Sequence, residues 1–205
     1  MIAAAAIPVG ILLAAGRGRR FDPSGAQNKL LQALPGGDLV VLASARHMLA
    51  VLPRVIAVVR PGGDTVASAL RKLGCEVVVA QDADSGMASS LVHAIGSTKD
   101  ASGWIIALGD MPHVASSTIA ALLAKLADGA DIAVPTFLQK RGNPVGFGRR
   151  HLPLLLALQG DQGARSILQQ HLVTEVVVAD RGILQDIDTQ LDLNMASDLA
   201  APPLP

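Results

Sequence analysis

The sequence predicts an α/β fold, in which helices cover a mostly parallel, twisted sheet in three layers. Short aliphatic runs rich in valine and isoleucine alternate with longer segments of helical spacing. This alternation is typical of βαβ units joined by right-handed crossovers. The 205 residues are half hydrophobic and only 2% aromatic, so we expect one domain over residues 1–205 with a large aliphatic core.

The elements follow in order from the first apolar run. The segment after Pro8 is predicted to be a buried strand, Val-Gly-Ile-Leu-Leu-Ala-Ala. Further strands are predicted at Val55–Val59, Glu76–Ala80, Trp104–Leu108, Ile132–Pro135 and Val173–Ala179. Helices are predicted at Asp64–Leu73, Met87–Ile95, Ser116–Ala127, His151–Leu158, Ala164–His171 and Leu191–Leu199. The predicted helix at Ser116–Ala127 begins with serine and threonine, as is typical of an N-cap region. Glycines and a proline within 136–148 predict an irregular excursion or a hairpin.

Composition excludes several classes of function. The formal net charge is zero, which gives no overall basic surface for nucleic acid. The single Cys75 excludes an internal disulfide and is expected to be a buried thiol in a reducing cytoplasm. The uncharged residues 1–16 lack a positive leading region and are too short to span a bilayer. We therefore expect a cytoplasmic protein that binds neither nucleic acid nor membrane.

A basic loop follows the first strand. Gly16 and Gly18 allow a tight turn, and Arg17, Arg19 and Arg20 arrive within four positions, with Lys29 after a polar segment. Guanidinium groups are planar donors suited to phosphate oxygens. The loop therefore predicts polyphosphate binding, with a solvated basic turn as the alternative.

Two common phosphate motifs do not fit this loop. A dinucleotide fingerprint needs a small residue where Phe21 stands, and its helix should begin at once, whereas Asp22-Pro23-Ser24-Gly25 is turn chemistry. A Walker loop needs Gly-Lys-Ser/Thr, which is absent from this segment.

Further polar residues follow other predicted strands, where ligands bind in folds of this class. Gly86 and Ser89 open a helix and suit a base edge or an anion, or are an ordinary cap. Asp110 follows the fourth strand, where it suits Mg²⁺ or caps a helix. The turns at Asp161 and at Asp186 to Asp188 add acidic groups. The isolated histidines, among them His113 near Asp110, are expected to be structural or solvated.

Six motifs in this order resemble the molybdenum cofactor cytidylyltransferase group of the MobA-like NTP transferases. They are Leu13-Ala14-Ala15-Gly16 with Arg20 and Lys29, Gly86-Met87-Ala88-Ser89-Ser90-Leu91, Leu108-Gly109-Asp110-Met111-Pro112, Arg141-Gly142-Asn143-Pro144-Val145, Gly160-Asp161-Gln162-Gly163-Ala164-Arg165 and Asp186-Ile187-Asp188-Thr189. The resemblance covers nearly the whole chain. It implies a Rossmann-like nucleotidyltransferase fold, with an NTP-binding part at about 8–112 and an acceptor-binding part at about 113–195.

The resemblance also implies roles for individual residues. The backbone of Leu13, Ala14, Ala15, Gly16 and Gly18 would line the nucleotide, with Ala15 pointing to CTP where guanylyl-transferring relatives have glycine. Gly16, Arg20 and Lys29 would hold the triphosphate, and Asp110 with Asp188 would bind Mg²⁺. Gly86 and Ser89 would lie near the base and ribose. Asn143, Gly160, Asp161 and Arg165 would shape the pterin side.

The implied reaction joins CTP to molybdopterin, usually carrying Mo, and releases pyrophosphate. The product would pass to a molybdenum hydroxylase resembling xanthine dehydrogenase. Two alternatives stay open from the residues. One is a cytidylyl- or uridylyltransferase that acts on another phosphorylated acceptor. The other is a non-catalytic chaperone that binds the finished cofactor for a molybdenum hydroxylase.

Overall fold

A computed structural model describes residues 7–82, 86–160 and 164–199, with side chains described up to residue 195. Within these residues, eight strands form one sheet. They are β1 (Val9–Ala14), β2 (Val55–Val59), β3 (Glu76–Val79), β4 (Gly103–Leu108), β5 (Ile132–Phe137), β6 (Lys140–Arg141), β7 (Val145–Gly148) and β8 (Thr174–Val177). The helices are α1 (Val40–Leu49), α2 (Asp64–Leu73), α3 (Met87–Gly96), α4 (Ser116–Ala127), α5 (Leu152–Leu156), α6 (Arg165–Gln170) and α7 (Gln190–Leu199).

The sheet has the order β3-β2-β1-β4-β7-β5-β6, and β8 pairs with β5. Strands β1 to β4 are parallel to one another, and β8 is parallel to β5. Strand β7 runs antiparallel to both β4 and β5, and β6 forms a hairpin with β5. The α/β fold with a mostly parallel sheet is confirmed, and its second half is mixed.

Alternation along β1 divides the core between the two faces of the sheet, because successive strand residues point to opposite sides. Leu12 and Ala14 pack on the face covered by α1, α2 and α4. Val9 and Ile11 pack on the other face with α3 and α5. The aliphatic core expected from the composition is confirmed, and Cys75 is buried and unpaired.

Several predicted elements need correction. Helix α1 lies in a segment for which no helix was predicted. Residues 136–148 hold the end of β5, β6 and β7, so of the two predictions for this segment the hairpin is confirmed and the irregular excursion is wrong. The helix predicted at His151–Leu158 is a 3-10 turn at Arg149–His151 followed by the five-residue α5. The N-cap of α4 is Ala115, which makes no side-chain capping bond, so the serine and threonine do not cap it locally.

No helix in the described part of the chain is long and apolar enough to cross a membrane.

Candidate active site

The carboxyl ends of β1 and β4 meet at one edge of the sheet, because the two strands are parallel neighbours in register from Val9 to Leu13. The basic loop leaves β1 there, and Asp110 follows β4 at the same edge. The close approach of the two strands favours glycine at position 109, because a Cβ there would lie 3.1 Å from the Leu13 carbonyl oxygen. The Gly109 N–H also donates to that oxygen at 2.9 Å, which fixes the turn that presents Asp110.

Lys29 lies at the centre of a cluster of charges. Its Nζ is 2.6 Å from Asp110 Oδ2 and 2.8 Å from Asp188 Oδ1. Arg20 Nη1 lies 2.5 Å from Asp188 Oδ2. The Lys29 side chain is 9% exposed, whereas that of Arg20 is 78% exposed. The chain therefore brings together four of its predicted site residues, and we call Arg20, Lys29, Asp110 and Asp188 the charge cluster.

The basic loop packs directly on the stem of Lys29. A Cβ at Gly18 would lie 3.5 Å from Lys29 Cγ. The Gly18 carbonyl accepts hydrogen bonds from the N–H groups of Phe21 and Asp22, and Phe21 is buried, so the loop turns back toward the core. Gly16 and Arg19 stay exposed.

Charge within the cluster sets the ionisation of its members. Burial opposes the charge of Lys29, but the carboxylates of Asp110 and Asp188 outweigh it and raise the pKa of the ammonium. Burial likewise opposes ionisation of Asp188, yet hydrogen bonding and charge from Lys29, together with Arg20, lower the pKa of its carboxyl. The three ion pairs of the cluster thus favour the charged forms of Lys29 and Asp188.

Asp186 is a further acidic group that the sequence placed in a motif but to which it gave no role. Partial desolvation and the neighbouring Asp188 carboxylate raise the pKa of Asp186. The alternation of Asp186 and Asp188 around the buried Ile187 was the available signal, since Ile187 points into the core. The Ile187 N–H donates to the Asp110 carbonyl oxygen at 2.8 Å, which holds this turn against the one after β4.

One carboxylate oxygen of Asp110 has no hydrogen-bond partner. This atom, Oδ1, is buried, while Oδ2 accepts from Lys29. A buried carboxylate oxygen without a hydrogen-bond partner lowers the stability of the fold, and a bound ion or ligand would supply the missing partner. Within the described ranges, no three His, Cys, Asp or Glu side chains are grouped to hold a metal ion.

A cleft of about 700 Å³ lies beside these strand ends. Its floor is apolar and includes Leu13 and Leu108. The polar groups on its lining are Arg141, Asn143, Arg165 and Gln169. The cleft is therefore suited to a ligand with a flat or apolar body and polar or anionic edges. Asn143 and Arg165 were expected at an acceptor site, whereas Arg141 and Gln169 were not assigned from the sequence.

The segments expected on the base side and on the acceptor side touch each other. Gly86, the N-cap of α3, has φ of 112° and ψ of 171°, a conformation open to glycine. Two residues after Gly86, the Ala88 N–H donates to the Gly160 carbonyl oxygen at 3.1 Å. Met87 lines the cleft, whereas Ser89 of α3 is half-buried and is not among the residues that line it. The predicted site residue Asp161 lies outside the described residues.

Three further residues considered in the sequence analysis, Ala14, Ala15 and His113, lie outside the charge cluster. Ala14 is buried in the core, so its side chain does not face the strand-end loop, whereas Ala15 is half-buried just after β1. His113 is partly buried with its Nε2 unpaired; burial and the charge of His47 lower the pKa of its imidazole. It is not part of the charge cluster.

The fold, together with cations and carboxylates at the ends of its parallel strands, is that of a nucleotidyltransferase. Residues 10–176 match the MobA-like NTP transferase domain, and the chain belongs to this family. It is 29% identical over 203 residues to purine catabolism protein PucB of Bacillus subtilis, covering 91% of this chain and 94% of PucB. It is 28% identical over 190 residues to nicotine blue oxidoreductase of Paenarthrobacter nicotinovorans, covering 88% and 91%.

A solved structure extends this similarity across the fold. Rv0371c from Mycobacterium tuberculosis H37Rv superposes with a TM-score of 0.80 at 28% identity, covering 95% of this chain and 99% of that protein. A second crystal structure of Rv0371c is a complex with manganese, with a TM-score of 0.77 at 26% identity over 94% of this chain and 98% of that one.

Proposed function

We propose that this protein transfers CMP from CTP to molybdopterin, which usually carries Mo, to give molybdopterin cytosine dinucleotide and pyrophosphate. The observation that carries the proposal is the charge cluster, in which Lys29 joins Asp110 to Asp188 beside the cleft. This arrangement supports the proposal because the cations are suited to phosphate oxygens, the carboxylates are suited to a divalent metal ion, and the cleft offers separate space for an acceptor. In this proposal residues 8–112 bind the nucleotide and residues 113–195 bind the acceptor.

The chain's residues supply binding and charge neutralisation. Arg20 and Lys29 hold phosphate oxygens of the nucleotide, and both can neutralise the charge that develops on departing pyrophosphate. The acceptor phosphate is already ionised at neutral pH, so its attack on the α-phosphorus needs no general base. The cleft lined by Asn143 and Arg165 orients the acceptor, and orientation of two bound reactants supplies much of the acceleration in phosphoryl-type transfers.

Magnesium fits the carboxylates of the cluster. The unpaired, buried Asp110 Oδ1 and the adjacent Asp188 carboxylate are the oxygen donors that this ion prefers, and it usually takes one or two carboxylates with phosphates and waters. Asp110 and Asp188 would hold the ion, which would neutralise charge on the nucleotide phosphates. The manganese complex of Rv0371c supports a divalent cation in this family.

The names of the relatives support the proposed recipient. PucB is named for purine catabolism and a second relative is named an oxidoreductase. A molybdenum hydroxylase resembling xanthine dehydrogenase is the recipient we propose. The buried, unpaired Cys75 is compatible with the reducing cytoplasm as its location.

The experiment is pyrophosphate release on incubation with Mg²⁺, molybdopterin and, separately, CTP, GTP, ATP or UTP. We expect release with CTP above the other three. Release only with a sugar or alcohol phosphate in place of molybdopterin would favour the alternative transferase. Absence of release with every nucleotide, together with tight binding of the finished dinucleotide cofactor, would favour the chaperone.

A further inference from the structure

We infer that Lys29 determines the form in which the site accepts its divalent cation: as a complex with the nucleotide rather than as the free ion. The inference rests on the proposed function and concerns the charge cluster. Lys29 is a specificity-determining residue in this account, in addition to its contact with phosphate.

The cations occupy the oxygens that a metal ion would need. Lys29 Nζ bonds Asp110 Oδ2 and Asp188 Oδ1, and Arg20 pairs with Asp188 Oδ2. Of the four carboxylate oxygens, only Asp110 Oδ1 has no partner. An ion that binds both carboxylates must therefore compete for, or share, an Asp188 oxygen that Lys29 or Arg20 already contacts.

The two cations differ in how easily they can leave. The Arg20 side chain is largely in solvent, whereas the Lys29 side chain is almost completely buried. An ammonium buried between two carboxylates has lost its hydration, and moving it away without a new anionic partner leaves an unpaired buried charge. Lys29 therefore stays at the carboxylates when no other anion is present.

Net charge also disfavours the free ion. The two carboxylates and two cations of the cluster sum to no net charge, and an ionised Asp186 would add only a single negative charge. A divalent cation placed beside the Lys29 ammonium would meet strong repulsion in this partly dehydrated site. The same ion on a triphosphate brings oxygens that can accept Lys29 and Arg20, so the carboxylates become available at the moment the metal arrives.

The test measures Mn²⁺ binding directly, without acceptor and without turnover. Water-proton relaxation and electron paramagnetic resonance report bound and free Mn²⁺ for the wild-type chain, alone and with CTP, and a sample of Mn²⁺ and CTP without protein gives the part of the binding that is due to CTP itself. We expect weak binding of Mn²⁺ alone and binding about tenfold or more tighter when CTP is present, a typical coupling between two sites. Equal affinity in the presence and absence of CTP would overturn the inference.

Variants separate the charge of Lys29 from its other properties. Lys29→Met removes the charge, and Lys29→Gln removes it but keeps a hydrogen-bond donor; both should bind Mn²⁺ alone about tenfold or more tighter than wild type, because a neighbouring positive charge is gone. Lys29→Arg should remain as weak as wild type. Arg46→Met is the matched control, since Arg46 pairs with Asp38 at 2.9 Å on the surface, away from the cluster.

The outcomes distinguish this inference from the proposed function. Neutral variants that bind Mn²⁺ alone no tighter than Arg46→Met would overturn the role of Lys29, even if CTP is turned over. Tighter binding in the neutral variants would support it, even if no nucleotide releases pyrophosphate. If neither neutral variant folds, equal affinity of the wild-type chain for Mn²⁺ with and without CTP still overturns the inference.

Discussion

Thr118 donates a hydrogen bond of 2.6 Å from its hydroxyl to the carboxylate of Asp180, across 62 residues of sequence. The same Asp180 oxygen accepts from the Ala115 N–H at 2.9 Å, and the other oxygen accepts from the Gly182 N–H at 2.9 Å. Asp180 therefore caps the N-terminus of α4 from a distant segment, and it anchors the chain that leads on to Asp188. Asp180 thereby links the start of α4 to the segment that precedes Asp188.

We expect Asp180→Ala to lower the free energy of unfolding by about 2 kcal/mol, since it removes a helix cap and leaves the buried Thr118 hydroxyl without its acceptor. Urea unfolding followed by circular dichroism measures the change. Asp128→Ala is the control at the other end of α4, where Asp128 makes an exposed pair of 3.6 Å with Lys125. That control should change stability by less than about 0.5 kcal/mol. Equal losses in the two variants would contradict the capping role.

Asp110→Asn tests the charge cluster with little change in size. The variant removes one of the two carboxylates that hold Lys29 and should lower the rate of pyrophosphate release by about 100-fold or more, as loss of a key electrostatic group in an active site does. Asp38→Asn removes a carboxylate from a surface pair with Arg46 and should keep the wild-type rate. A near-normal rate in Asp110→Asn, with circular dichroism unchanged, would remove Asp110 from the proposed machinery.

Ala15→Gly tests the nucleotide preference that the resemblance implies. Ala15 is half-buried immediately after β1, where its methyl group would adjoin the bound nucleotide. We expect the ratio of kcat/KM for CTP over GTP to fall by about tenfold, which is the usual scale for one methyl group in a binding pocket. Parallel assays of both nucleotides give the ratio, and an unchanged ratio would show that Ala15 does not select the base.

Most of the parallel half of the sheet was predictable because β1, β2 and β4 are apolar runs and β3 is a valine run after Glu76, with segments of helical spacing at α2 and α3 between the later strands. Helix α1 was missed for a physical reason: six of its ten residues are buried, and its N-cap Leu39 makes no side-chain bond, so neither polar periodicity nor a capping signal marks it. Strand β7 was missed because two of its four residues are glycine. A Cβ at Gly146 would lie 3.1 Å from Leu126 Cδ1, so close packing requires the glycine that sequence reasoning assigns to a loop.

The members of the charge cluster could be listed from the sequence, but their contacts could not. Lys29 is 81 residues from Asp110 and 159 from Asp188, and only the order of the strands brings the three side chains together. Each aspartate alone is also compatible with an ordinary turn or cap. The capping role of Asp180 was equally hidden, because its partners lie in another segment of the chain.

Cys75 should be unreactive in the folded protein. Burial raises the pKa of its thiol to about 11, so at pH 8 only about a thousandth of the molecules carry the thiolate that reacts. Alkylation by iodoacetamide, followed by mass spectrometry, should be slow in native buffer and faster by at least about 100-fold in urea, where the thiol regains its ordinary pKa. Equally rapid alkylation in both conditions would show that the thiol is accessible.

His151 should make stability depend on pH in a defined window. The side chain is buried with both ring nitrogens unpaired, beside His171 at a ring distance of 5.1 Å. Burial, followed by the charge of His171, lowers the pKa of His151 below its ordinary 6.5. His151 therefore binds a proton near pH 6.5 in the unfolded chain but only at lower pH in the folded chain. The free energy of unfolding consequently falls as the pH drops from 6.5 toward the folded-state pKa.

Replacement of His151 removes this proton uptake from the unfolded state. Urea unfolding at about pH 7.5 and at about pH 5.5 should show a smaller loss of stability in His151→Phe than in wild type, because phenylalanine does not titrate. Phe147 already contacts this ring edge-on at 6.1 Å, so an aromatic replacement retains that type of contact. His93→Gln, at an exposed position of α3, should keep the wild-type difference between the two pH values. The same pH dependence in His151→Phe as in wild type would assign the effect to other groups.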